Sequence, residues 1–139
     1  MGNELKQVCK EIFGYSENEV EGLSAKQQKI IESRTLRKAY KVIMEVVKSA
    51  NCACKPKVGD RYVMTAGGVV LSKECTFPLC LWGLAPVLPI SYVIYDRVSQ
   101  GQDPNGHLFD HVRCTDTGVK CGGIGEVLFK VYCETSASK

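Results

Sequence analysis

The sequence has no pair of cysteines with two residues between them, no phosphate-binding loop, no dinucleotide fingerprint and only two histidines, His107 and His111. Without a CxxC beside a βαβ pattern, a thioredoxin-type redox centre has little support, and no zinc knuckle of two-residue spacing can be drawn. CGGIGEV carries glycines, but it follows no parallel strand and opens no helix, so it does not cradle a nucleotide pyrophosphate. There is no nucleophile or oxyanion signature of a hydrolase. No internal repeat or low-complexity stretch appears. MGNELKQVCKEIFG lacks the apolar run and small-residue cleavage site of a secretory signal. Gly2 invites a myristoylation reading, but Lys6 stands where that motif takes Ser or Thr.

Charge is missing altogether between Glu74 and Asp96. TFPLCLWGLAPVLPISYVIY is nearly long enough to cross a bilayer. Pro78, Pro86 and Pro89 would repeatedly interrupt its backbone ladder, and lipid offers the freed polar groups no partner. The expectation is a short turn of helix from Leu79, a break at Pro86 to Pro89, and a second helix from Pro89 to about Gln100 packed on a sheet.

What is present in excess is sulfur. Eight cysteines in 139 residues, with no export signal, are expected to be thiols, ligands or redox centres in the cytoplasm rather than structural disulfides. Several can simply be core, since free cysteine behaves as a small hydrophobe. Length and a 45% hydrophobic content suit one domain with one core. Basic residues concentrate early: residues 1–57 hold 11 of the 18 Lys+Arg but 7 of the 15 acids. Between Lys26 and Lys57 this excess reads as a solvated helix face rather than a nucleic-acid interface, because no aromatic residues alternate with the charges.

Leu5, Val8, Cys9, Ile12 and Phe13 form one helical stripe that Gly14 ends. Ser16 with Glu19 and Ser24 with Gln27 match capping boxes, so further helices are expected from about 17 and from 25 to 38. Tyr40, Val42, Met44 and Val46 alternate as a strand, and DRYVMTAGGVVLS reads as a hairpin turning at Gly67-Gly68. GQDPNG is a turn. LFDHVRC and GEVLFKVYCE read as the last two strands, and SASK as a frayed tail. The expected fold is α+β in a single domain, residues 1–139. Its parts are a helical N-terminal extension over 1–38 and a core over 39–134, with a mostly antiparallel sheet of about five strands and one broken apolar helix.

Three chemistries compete. Four converging thiolates could bind zinc or an iron–sulfur cluster, and Cys75, Cys80, Cys114 and Cys121 in CTFPLC and CTDTGVKC form the best quartet. Cys80, near a helix start, could be a reactive thiol, whereas Cys52 and Cys54 stand one residue apart, a spacing that makes a strained disulfide. His107, His111, Asp110, Glu126 and Cys80 could make an acid–base pocket, against which stands the plain reading of a solvated loop entering a strand.

VGDRYVM, CTFPLCLWGLAP, DPNG and HVRCTDTGVKCGGIGEVLFKVYCE together resemble a group of small, functionally uncharacterised proteins of bacteria and archaea, many of them anaerobes. The resemblance covers most of residues 40–134. It implies a compact α+β unit with Cys75, Cys80, Cys114 and Cys121 at the group's cysteine positions, and it implies no activity. The leading expectation is therefore a cytoplasmic, cysteine-rich accessory or binding subunit holding zinc or an iron–sulfur cluster, with itself or a partner enzyme subunit as its company. A small enzyme and a purely structural oligomer with an apolar surface from Trp82 to Tyr95 are the alternatives.

Overall fold

A computed structural model describes residues 1–136, so the last three residues of the SASK tail lie outside the described residues. The fold is α+β. Four strands form one antiparallel sheet: β1 (Tyr40–Ala50), β2 (Arg61–Thr65), β3 (His111–Arg113) and β4 (Glu126–Thr135), in the order β2-β1-β4-β3. The long central pair β1 and β4 keeps register from Tyr40↔Thr135 to Ala50↔Glu126, with one irregularity between Val46 and Lys48.

Because side chains alternate along a strand, Val42, Met44, Val46, Tyr62, Met64, Val127, Phe129, Val131 and Cys133 share one face and are buried together. The helix α6 (Leu88–Ser99) lays Ile90, Ile94 and Val98 on that face. It is preceded by α5 (Leu81–Leu84) and a 3₁₀ turn at Ala85–Val87, so the charge-free segment is the expected broken helix. Pro86 and Pro89 sit within the first two positions of their helical segments, where a missing N–H costs nothing. Among the described residues no helix is long and apolar enough to cross a membrane.

The N-terminal region folds as α1 (Asn3–Phe13), α2 (Glu17–Glu21), α3 (Ala25–Glu32) and α4 (Arg34–Lys38). Both capping boxes form, and Gly14 closes α1 in the left-handed conformation at φ 69°. Leu5, Cys9, Val20 and Ile31 make a small second core. The single helix expected over 25–38 is interrupted at Ser33, whose hydroxyl bonds back to the Ile30 carbonyl and competes with the helical ladder.

The sheet has four strands where the sequence suggests about five. GVVLS does not become a strand; it touches β2 through the single bridge Met64↔Val70. The outer edge of β2 is bonded piecemeal instead. Thr65 N–H donates to the Val69 carbonyl, the Val63 carbonyl accepts from Leu71 N–H, and the Val63 N–H donates to Cys75 Sγ at 3.3 Å. A loop carrying a thiol thus covers the edge that a fifth strand would have paired, and an uncovered edge is an invitation to association.

Candidate functional site

The antiparallel order places the end of β1, the start of β4 and the end of β3 at one end of the sheet. The chain leaves β1 through Asn51 (φ 58°) and turns again at Lys55 (φ 51°), which carries Cys52 and Cys54 across that end. Gly125 makes this possible. A Cβ there would stand 3.0 Å from the Asn51 carbonyl oxygen and 3.0 Å from Cys52 Cα, so a side chain would push the turn away.

Cys80 arrives from another part of the sequence. It caps α5, and its N–H donates to Tyr62 Oη at 3.1 Å while that hydroxyl donates to the Pro78 carbonyl at 2.7 Å. Phe77 stacks on the Tyr62 ring at 4.1 Å, and Gly83, buried and without a side chain, lets α5 lie against the same ring. Tyr62 is fully buried and anchors the CTFPLC segment to the sheet.

Cys52 and Cys80 are the thiol neighbours that act on Cys54. Its pKa is raised, first by desolvation and then by the negative charge that Cys52 and Cys80 would carry. Desolvation pushes Tyr62 up as well, and the charges of Cys80, Cys54 and Cys52 add to it. Burial and the two neighbouring thiols thus both disfavour a thiolate at Cys54. Among the described residues no three His, Cys, Asp or Glu side chains are already set to hold a metal ion.

The quartet drawn from spacing is not assembled as such. Cys75 is occupied with the backbone of β2, with its Sγ also 3.4 Å from the Leu71 carbonyl oxygen. Cys121 is exposed in a 3₁₀ turn at Val119–Cys121. Cys114 is half-buried against the main core, and the next residue, Thr115, donates its N–H to the Trp82 carbonyl, tying the end of β3 to the helical turn that follows Cys80. Cys9 and Cys133 are core, and burial pushes the Cys133 thiol up to about 11. Cys52 and Cys54, rather than Cys75 and Cys121, are the thiols that neighbour Cys80. The one local sign was the CAC pair itself, placed just past a strand.

The acid–base candidates are dispersed. His107 has both ring nitrogens on carbonyl oxygens, Pro104 at 2.9 Å and Val131 at 3.2 Å, which fixes the turn to β4. His111 pairs with Asp110 at 2.7 Å on the exposed edge strand, and Glu126 faces Arg113 at 3.6 Å and Lys48 at 4.0 Å. His107 and Asp110 border one surface depression, whose lining includes neither Cys80 nor Glu126.

Within CTDTGVKCGG the organising residue is Asp116. Its carboxylate accepts from the N–H groups of Gly118 (3.0 Å), Ile124 (2.8 Å) and Gly125 (2.9 Å), closing the loop whose last glycine supports Cys52. The bonds from Gly125, Ile124 and Gly118 lower its pKa below the ordinary aspartate value of 3.8. The clamp therefore contributes fully above 3.8 and is lost as pH falls through the lower folded value. In an acid titration followed by amide NMR, Gly118, Ile124 and Gly125 are expected to shift together below pH 3.8, and an Asp116→Ala chain to lack that step. A common midpoint at or above 3.8 would contradict the clamp.

No family model, curated protein or solved structure matches this chain.

Proposed function

We propose that the protein is a small cytoplasmic accessory or binding subunit that holds a thiophilic metal ion at Cys52, Cys54 and Cys80, with Cys114 as the candidate fourth ligand. The observation that supports this reading is that the Cys52–Cys54 turn beyond β1 and Cys80 at the start of α5, far apart in the sequence, are neighbours in the fold. A catalytic thiol needs a lowered pKa, and Cys54 is shifted the other way. A soft divalent ion supplies positive charge and displaces the thiol protons, and zinc with thiolate ligands is the simplest case. An iron–sulfur cluster uses the same ligand type. Chelation requires these side chains to rearrange, since as they stand no three of the described His, Cys, Asp or Glu side chains form a metal-holding group.

Exposed Leu81 and Trp82, 76% and 63% accessible, follow directly on Cys80 and offer a partner subunit or a second copy an apolar place to dock beside the site. The resemblance to the uncharacterised bacterial and archaeal group adds no reaction.

Anaerobic purification with elemental analysis and a visible spectrum tests the reading. The expected result is close to one metal ion, or one coloured cluster, per chain, lost in Cys54→Ser and Cys80→Ser but retained in Cys121→Ser. Colourless protein that takes up no zinc on incubation, or a Cys54→Ser chain that binds as the unaltered one does, would overturn it.

A further inference from the structure

A groove of about 520 Å³ lies at the opposite end of β1 from the thiols, between α4, the start of β1, the loop after β2 and α6. Arg34, Arg37, Lys38 and Lys41 line it, and no carboxylate does. Lys41 is paired with Glu74 at 2.6 Å. Among the described residues no carboxylate stands within ion-pair distance of Arg34, Arg37 or Lys38.

Arg37 is the unusual member. It is buried, at 9% exposure, and buried arginines are ordinarily paired with an acid. Its guanidinium instead donates to Ser33 Oγ at 2.7 Å, Ser99 Oγ at 2.8 Å and the Ile30 carbonyl at 2.7 Å, and lies 4.2 Å over the Tyr95 ring. These contacts fix its position without neutralising its charge. Desolvation depresses its pKa first, Tyr95 opposes this, and the positive charge of Arg34 adds to the depression. Two guanidiniums are thus held near each other with nothing anionic between them, and the fold bears that repulsion.

The remaining walls are mostly aromatic or apolar, Tyr40, Leu71 and Tyr95 among them, with Thr65, Gly67 and Ser136 between. The charges alone would suit any anion; the combination suits an anion with an unsaturated or apolar body. We infer that the groove is a binding site for a small organic phosphate of mononucleotide size, its phosphate held by Arg34, Arg37 and Lys38 and its body against Tyr40 and Leu71. Charge-assisted bonds from a guanidinium fork to phosphate oxygens are the strongest such contacts. In sequence this basic run looked like a solvated helix face. Tyr40 follows α4 directly in the chain, whereas Tyr95 comes from α6, which only the fold brings to α4.

Calorimetric titration of the full chain with adenosine monophosphate and, separately, with inorganic phosphate tests the inference. Arg34 and Lys38 serve as the variants because neither takes part in the bonds that hold Arg37. Expected is binding of the nucleotide at least tenfold tighter than of inorganic phosphate, weakened by added salt and at least tenfold weaker in the Arg34→Ala/Lys38→Ala chain, whose melting temperature does not fall. No heat from either ligand at millimolar concentration, equal affinity for the two, or undiminished binding in the double variant would each overturn it. Metal content is unaffected in every arm, so this outcome is read separately from that of the thiol site.

Discussion

Replacing Phe129 by alanine is expected to cost the fold about 3–5 kcal/mol, the range for deleting a buried aromatic side chain. Phe129 is 1% exposed at the centre of β4, opposite Val46 on one side and Val112 on the other. Its ring lies 5.8 Å from that of Tyr62 and 6.4 Å from that of Phe77, each pair nearly parallel, so it is the floor of an aromatic stack reaching from the sheet to the CTFPLC segment. Neither neighbour can collapse into the vacancy, because Tyr62 is held by its hydroxyl and Phe77 by the stack. Urea unfolding should show a lower midpoint with an unchanged slope, and melting should fall by roughly 10–15 °C for a chain of this size. A loss below about 1.5 kcal/mol would mean that the stack is not central to the core.

Tyr62→Phe is the second large effect, and it separates polar anchoring from packing. The substitution keeps the ring but leaves the Pro78 carbonyl without its donor and the Cys80 N–H without its acceptor. Leaving such groups unsatisfied costs about 1–3 kcal/mol. The same change frees the segment that positions Cys80, so metal affinity at the proposed thiol site should fall about 10–100-fold, the usual effect of removing a group that orients a ligand. Competition against a chromophoric zinc chelator measures the second effect and urea unfolding the first. If stability falls while affinity does not, Tyr62 braces the fold but does not position the site.

Much of the fold was legible because it depends on local rules. The stripe from Leu5 to Phe13, the two capping boxes and the alternation along β1 and β4 all follow from spacing within a few residues, and they formed as read. The prolines of the charge-free segment told helix breaks from a membrane span by the same kind of rule. GVVLS failed as a strand for a reason no local pattern carries: the Val63 N–H that would have paired with it is bonded to Cys75. The helix expected over 25–38 broke because the Ser33 hydroxyl found the Ile30 carbonyl and then the Arg37 guanidinium.

The sites divide in the same way. From the sequence alone came the abundance of thiols, the absence of a nucleotide or hydrolase motif, and Cys80 at the start of the helix. Which thiols are neighbours was decided by strand order. An antiparallel β2-β1-β4-β3 sheet sets the exit of β1 beside Gly125, which makes Cys80 rather than Cys75 the neighbour of Cys54, while Cys75 is spent on the edge of β2. Likewise a run of basic residues says nothing of Arg37 being buried without an acid, since burial and charge pairing depend on α6 packing against α4. Periodicity is set by neighbours in the chain; the partners of a thiol or a guanidinium are set by neighbours in space.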